Sequence, residues 1–134
     1  MILSKKYLDK LKKYMLAGCP DYIKDVSINL ANRQKAIDVA NYGPLNPNDP
    51  NEDYWKAKAD QFNGNVEDAK KALCGNCAAF DQTKAMLECI ATAIGEDAWD
   101  VIKAGELGGC QVFDFKCSAQ RTCDAWIVGG PIKD

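Results

Sequence analysis

At 134 residues the chain is long enough for one domain with a modest hydrophobic core. Hydrophobic residues make up 47% and charged residues 27%, which describes a globular chain rather than a disordered one. A net charge of −2 leaves no nucleic-acid footprint, and no apolar run approaches the roughly 18 residues that cross a bilayer.

Residues 4–17 alternate charge with Tyr7, Leu8, Leu11, Tyr14 and Met15, the spacing of one helix face. Ser4 serves as its N-cap, and Gly18 with Pro20 as its stop. Lys5, Lys6, Lys10, Lys12 and Lys13 read as the solvated side of that helix. The opening residues lack the apolar centre of an export signal, so a cytoplasmic location is expected. A second helix is expected over about Leu30–Asn41. Pro44, Pro47 and Pro50 then force an extended loop.

Asn51 opens a helix that carries Trp55, Ala59 and Phe62 and stops at Asn63-Gly64. A short helix from Asn65 leads to Leu73 and Cys74. Asp81 is expected to cap the next, which presents Met86, Leu87, Ile90 and Ile94 and ends at Gly95. Glu96–Ala104, with Trp99 and Ile102, makes one more. Beyond Gly105 the sequence breaks into short apolar pieces with no long alternating strand. The expected fold is a small, mainly α domain with an irregular, cysteine-rich C-terminal region and few short strands. Residues 1–50 form a helical segment and proline-rich loop, and residues 51–134 a metal-binding region.

The chain has seven cysteines and no histidine. In a reducing cytosol such thiols serve as metal ligands or free thiols more readily than as disulfides. A soft-metal site built here is mostly thiolate, which suits zinc, copper(I) or an iron–sulfur cluster. Six of the seven lie in the stretch from Cys74 to Trp126. Cys74-x2-Cys77 alone is a weak signal, shared by several site types. A zinc ribbon needs a second such pair, and the later cysteines stand at 89, 110, 117 and 123. The bacterial and plant-type ferredoxin spacings are also absent. No nucleophile–base pair or phosphate loop appears, so no enzyme is expected.

Three elements do occur in a familiar order. They are Cys74-Gly75-Asn76-Cys77-Ala78-Ala79-Phe80, Gly109-Cys110-Gln111-Val112-Phe113 and Cys123-Asp124-Ala125-Trp126. Over roughly residues 72–128 the chain resembles the high-potential iron–sulfur proteins. The resemblance implies a [4Fe–4S] cluster held by Cys74, Cys77, Cys110 and Cys123, with Phe80, Phe113 and Trp126 excluding water. Gly75, Gly108 and Gly109 would bring backbone amides close to the sulfurs. The chain differs from that family in its 32 residues between Cys77 and Cys110 and in its extra Cys89 and Cys117. It also lacks an export signal, and Tyr42 and Tyr54 are both candidates for a family tyrosine beside the cluster. More faintly, the whole organisation resembles short proteins of tailed phages of marine bacteria, which would suit a virion-associated role.

Two functions follow as expectations. One is single-electron transfer with a redox partner protein. The other is a structural protein with an assembly partner, in which the cluster, or zinc, only stabilises the fold. Cys19, Cys89 and Cys117 are taken as non-ligands, and neither nucleic acid nor membrane is expected as a partner.

Overall fold

The computed structural model describes residues 6, 16–44 and 51–134. The helix expected over 4–17 lies almost wholly outside them, as do residues 45–50 of the proline-rich loop. In chain order the helices are α1 (Asp21–Lys24), α2 (Val26–Ala40), α3 (Glu52–Gln61) and α4 (Val66–Ala69). A 3-10 turn (Cys74–Asn76) and strand β1 (Phe80–Asp81) follow, then α5 (Lys84–Ile94) and α6 (Ala98–Gly105). Strands β2 (Leu107–Cys110) and β3 (Phe115–Ser118) complete a three-stranded antiparallel sheet in the order β1-β2-β3.

Local chemistry sets most of the boundaries. Asp25 accepts a hydrogen bond from the Ser27 amide at 2.8 Å and starts α2, while Asn41 ends it in the left-handed region. Asn65 caps α4 by accepting from the Asp68 amide at 2.8 Å. Helix α5 is capped by Thr83, whose hydroxyl accepts from the Met86 amide at 3.3 Å. Asp81, the expected cap, lies in β1 instead. Its carboxylate accepts from the Thr83 amide at 2.9 Å and the Thr83 hydroxyl at 2.7 Å, a turn that hands the cap to Thr83.

The region beyond Gly105, expected to be irregular, contains the β2–β3 hairpin. Its register pairs Gly108 with Cys117 and Gly109 with Lys116, and Phe80 of β1 faces Cys110. Each hairpin strand is only four residues long, and two of the four in β2 are glycine, so little alternation was available to read. Strand β3 is an edge, and α2 covers it. Asn29 accepts from the Lys116 amide at 2.7 Å, and Asn32 donates to the Asp114 carbonyl at 2.6 Å.

Three apolar clusters form the core. One gathers Cys74, Cys77, Cys117 and Cys123 with Phe80 and Phe115, and with Ala36, Ala40 and Tyr42 at the end of α2. It therefore draws on both sides of residue 50. A second joins Leu16, Tyr22 and Ile23 to α5 and α6, and a third sets Trp55 against Ala59 and Ala69. Cys19 and Cys89 form a disulfide that ties the segment before α1 to α5. That corrects the expectation that all seven cysteines stay as free thiols or ligands.

The approach of β1 to β2 depends on Gly108. A Cβ there would stand 2.6 Å from the Phe80 ring and 2.9 Å from the Asp81 carbonyl oxygen. Both neighbours are rigidly held, so the strands would have to part. Gly108→Ala should lower unfolding free energy by about 1–3 kcal/mol, the usual range for overpacking. Urea denaturation measures it, and an unchanged midpoint would show that the strands yield more easily than this packing implies.

Candidate metal centre

Cys74 starts the 3-10 turn and Cys77 follows it. Their loop is gripped from two directions. On one side the Cys74 amide donates to the Arg121 carbonyl at 2.7 Å and the Gly75 amide to the Ala119 carbonyl at 2.9 Å. On the other side the Ala78 amide donates to the Ile127 carbonyl at 2.7 Å, and the Gly130 amide to the Asn76 carbonyl at 3.2 Å. Gly130 lies so close to the Cys77–Ala78 peptide that any Cβ would overlap it.

The polar residues of the three sequence elements lock them together. The Trp126 indole Nε1 donates to Asn76 Oδ1 at 2.8 Å and to the Leu73 carbonyl at 3.0 Å. Asn76 in turn donates to the Lys71 carbonyl at 2.7 Å. Gln111 donates its side-chain amide to Asp81 at 3.0 Å and its backbone amide to the Ala79 carbonyl at 2.9 Å. These contacts bring Cys74, Cys77, Cys110 and Cys123 onto one small cavity of about 20 Å³, together with Cys117. Ala79, Phe80, Val112 and Ala125 complete its walls.

No protein-family model, curated protein or solved structure matches the chain.

Backbone amides act on three of the sulfurs. Cys77 Sγ accepts from the Ala79 amide at 3.5 Å and the Ile127 amide at 3.4 Å. The amides of Val112 and Phe113 favour the thiolate of Cys110, and that of Ala125 favours the thiolate of Cys123. In each case one of these amides belongs to the residue two positions on. The glycines have another task. The Gly75 amide is spent on Ala119, and the open sides of Gly108 and Gly109 admit the Phe80 ring and, with the Met86 thioether, the Tyr22 hydroxyl.

Cys117 differs from the other four. It lies buried in β3, and its thiol is paired with that of Cys74. That pairing holds the Cys74 thiol below its ordinary pKa and, with burial, holds Cys117 well above. Burial also raises Cys110 and pushes Cys123 up to about 12. Sequence reading set Cys117 apart, yet Phe115-Lys116-Cys117 alternates inward and outward, which was the available signal.

Of the expected shielding aromatics, Phe80 lines the cavity, while Phe113 and Trp126 pack against the surrounding core cluster. Tyr42 belongs to that cluster and meets Phe115 edge-on at 4.9 Å between ring centroids. Tyr54 instead packs against Trp55 and donates to the Asn41 carbonyl at 2.6 Å.

A second residue missed in the sequence is Lys58 of α3. It is 2% exposed, and its ammonium donates to the Cys123 carbonyl at 2.7 Å. It occupies an inward position three residues after Trp55, where the periodicity called for an apolar side chain. Among the described residues, no group of three or more Cys, Asp or Glu side chains converges tightly enough to hold one metal ion.

The thiol environments make a test in the metal-free protein. Cys74 and Cys123 are almost equally exposed, at 8% and 9%, so their relative reactivity reports thiolate content rather than access. Near pH 8, iodoacetamide should modify Cys74 first, and Cys117→Ala should remove that advantage. Because folding raises the pKa of Cys123, its contribution to stability is present below the ordinary thiol pKa of about 8.5 and is lost as pH climbs toward the folded value. Faster alkylation of Cys123 than of Cys74, followed by peptide mass spectrometry, would contradict this ordering.

Proposed function

We propose that the cavity binds a [4Fe–4S] cluster through Cys74, Cys77, Cys110 and Cys123, and that the protein transfers single electrons in the manner of the high-potential iron–sulfur proteins it resembles. One observation carries the reading. Thiols from three sequence elements, up to 49 residues apart, line one cavity, and amide donors stand at three of the four.

When bound, such a cluster supplies one-electron redox chemistry. The chain's own groups would set the conditions for it. Amides that donate to sulfur stabilise negative charge on the thiolates, and Phe80, Ala79 and Ala125 keep water away from them. Shielding of this kind disfavours the more negative reduced state, which favours a couple between the resting and the oxidised cluster. Val112 both lines the cavity and is 45% exposed, so it is the thin wall through which a redox partner protein would exchange an electron.

Zinc is the alternative occupant. A zinc ion needs its thiolates to converge at about 2.3 Å on one point. Thiols spread around a wall suit a cluster with one iron for each thiolate better. A purely structural centre is the second reading, favoured by the small regular content of residues 119–134, which close the cavity.

Protein purified without oxygen from iron-replete cells should carry about four irons and four sulfides per chain, as the [4Fe–4S] assignment requires. Single serine replacements of Cys74, Cys77, Cys110 and Cys123 should each reduce that content sharply, whereas Cys117→Ser should retain it. Stoichiometric zinc with no iron would overturn the proposal. Loss in Cys117→Ser with retention in Cys110→Ser would move one ligand to β3.

A further inference from the structure

Lys58 is the buried lysine of the described residues, and its carboxylate partner stands at the long end of ion-pair range. Its ammonium has one short acceptor, the Cys123 carbonyl, at 2.7 Å. The nearest carboxylate oxygen, on Asp124, stands at 3.9 Å. Asp124 is already occupied on its outer side. Asn41 donates to it at 2.7 Å, and the Gln61 carboxamide, with its nitrogen turned inward, donates at 3.2 and 3.0 Å. The Phe62 ring centroid lies 5.0 Å from the ammonium and adds a weaker attraction.

Burying an ammonium with so little compensation is costly, and an apolar residue of similar volume in its place is often neutral or stabilising. Asp124 supplies the largest opposing charge, and Cys123, Cys74 and Cys77 would add to it from the cavity side once ionised by a bound metal centre. Four thiolates around a [4Fe–4S] core carry net negative charge, and each added electron makes it more negative. Resting on the cluster reading above, we infer that Lys58 is a fixed counter-charge that raises the reduction potential of the bound group, with Asp124 acting in the opposite direction. Lys58 would not be a ligand, since its ammonium is spent on the Cys123 carbonyl. It is a positioning and tuning residue that works through the field at Cys123.

The test is the midpoint potential of iron-loaded Lys58→Met and Asp124→Asn, measured by film voltammetry beside the wild-type protein. Iron and sulfide content and far-ultraviolet circular dichroism are read first. The inference expects a downward shift in Lys58→Met and an upward shift in Asp124→Asn at unchanged cluster content. A merely structural pair would alter stability in both without shifts of opposite sign. Unchanged potentials in both loaded variants would overturn the inference. If Lys58→Met fails to fold or load, Asp124→Asn decides alone: an upward shift supports the inference and no shift overturns it. A wild-type protein without iron and sulfide fails at the first step, which refutes the cluster reading itself and the inference with it.

Discussion

The two-sided grip on the Cys74–Cys77 loop is the constraint on which the rest depends. Its amides and carbonyls are hydrogen-bonded to residues 119–121 on one side and 127–130 on the other. Those two stretches flank Cys123, so closing the loop also delivers the fourth predicted ligand. The β1 strand leaves the same loop and pairs with β2, which sets Cys110 opposite Phe80. One set of backbone hydrogen bonds thus draws cysteines distant in sequence to one cavity. Each such bond contributes only about 1 kcal/mol net, but leaving buried amides unpaired would cost more. The 32 residues between Cys77 and Cys110 are accommodated because α5 and α6 build their own core against α1, away from the cavity.

Burying five free thiols in one apolar space favours their neutral forms, as the raised values at Cys110, Cys117 and Cys123 reflect. Metal binding requires the opposite, since the ligands must be thiolates. The amides aimed at Cys77, Cys110 and Cys123 and the ammonium of Lys58 are the groups that lessen this conflict. Cys117 contributes differently, through its pairing with Cys74, which holds that thiol down.

The helices from Glu52 to Gly105 were legible because caps, glycine stops and apolar spacing act within a few residues of one another. Asp81 misled for a local reason: it bonds Thr83, which is the actual cap. The hairpin was hidden by its short strands and the glycines of β2, where side-chain alternation carries no message. Cys74, Cys77, Cys110 and Cys123 could be grouped because each belongs to a short, recognisable element. Cys117 and Lys58 could not, because their place at the cavity comes from strand register and helix packing rather than from neighbours in the chain. The disulfide between Cys19 and Cys89 spans 70 residues, and no local pattern announces a pairing over that distance.

The most direct measurement of the central claim is electron paramagnetic resonance on protein purified without oxygen, recorded as isolated and after mild chemical oxidation. A shielded four-thiolate cluster that works between its resting and oxidised states should be silent at first and give a signal integrating to about one spin per cluster on oxidation. A signal that appears only on strong reduction would contradict the high-potential assignment. Silence in every state, in protein that contains zinc and no iron, would contradict the cluster altogether.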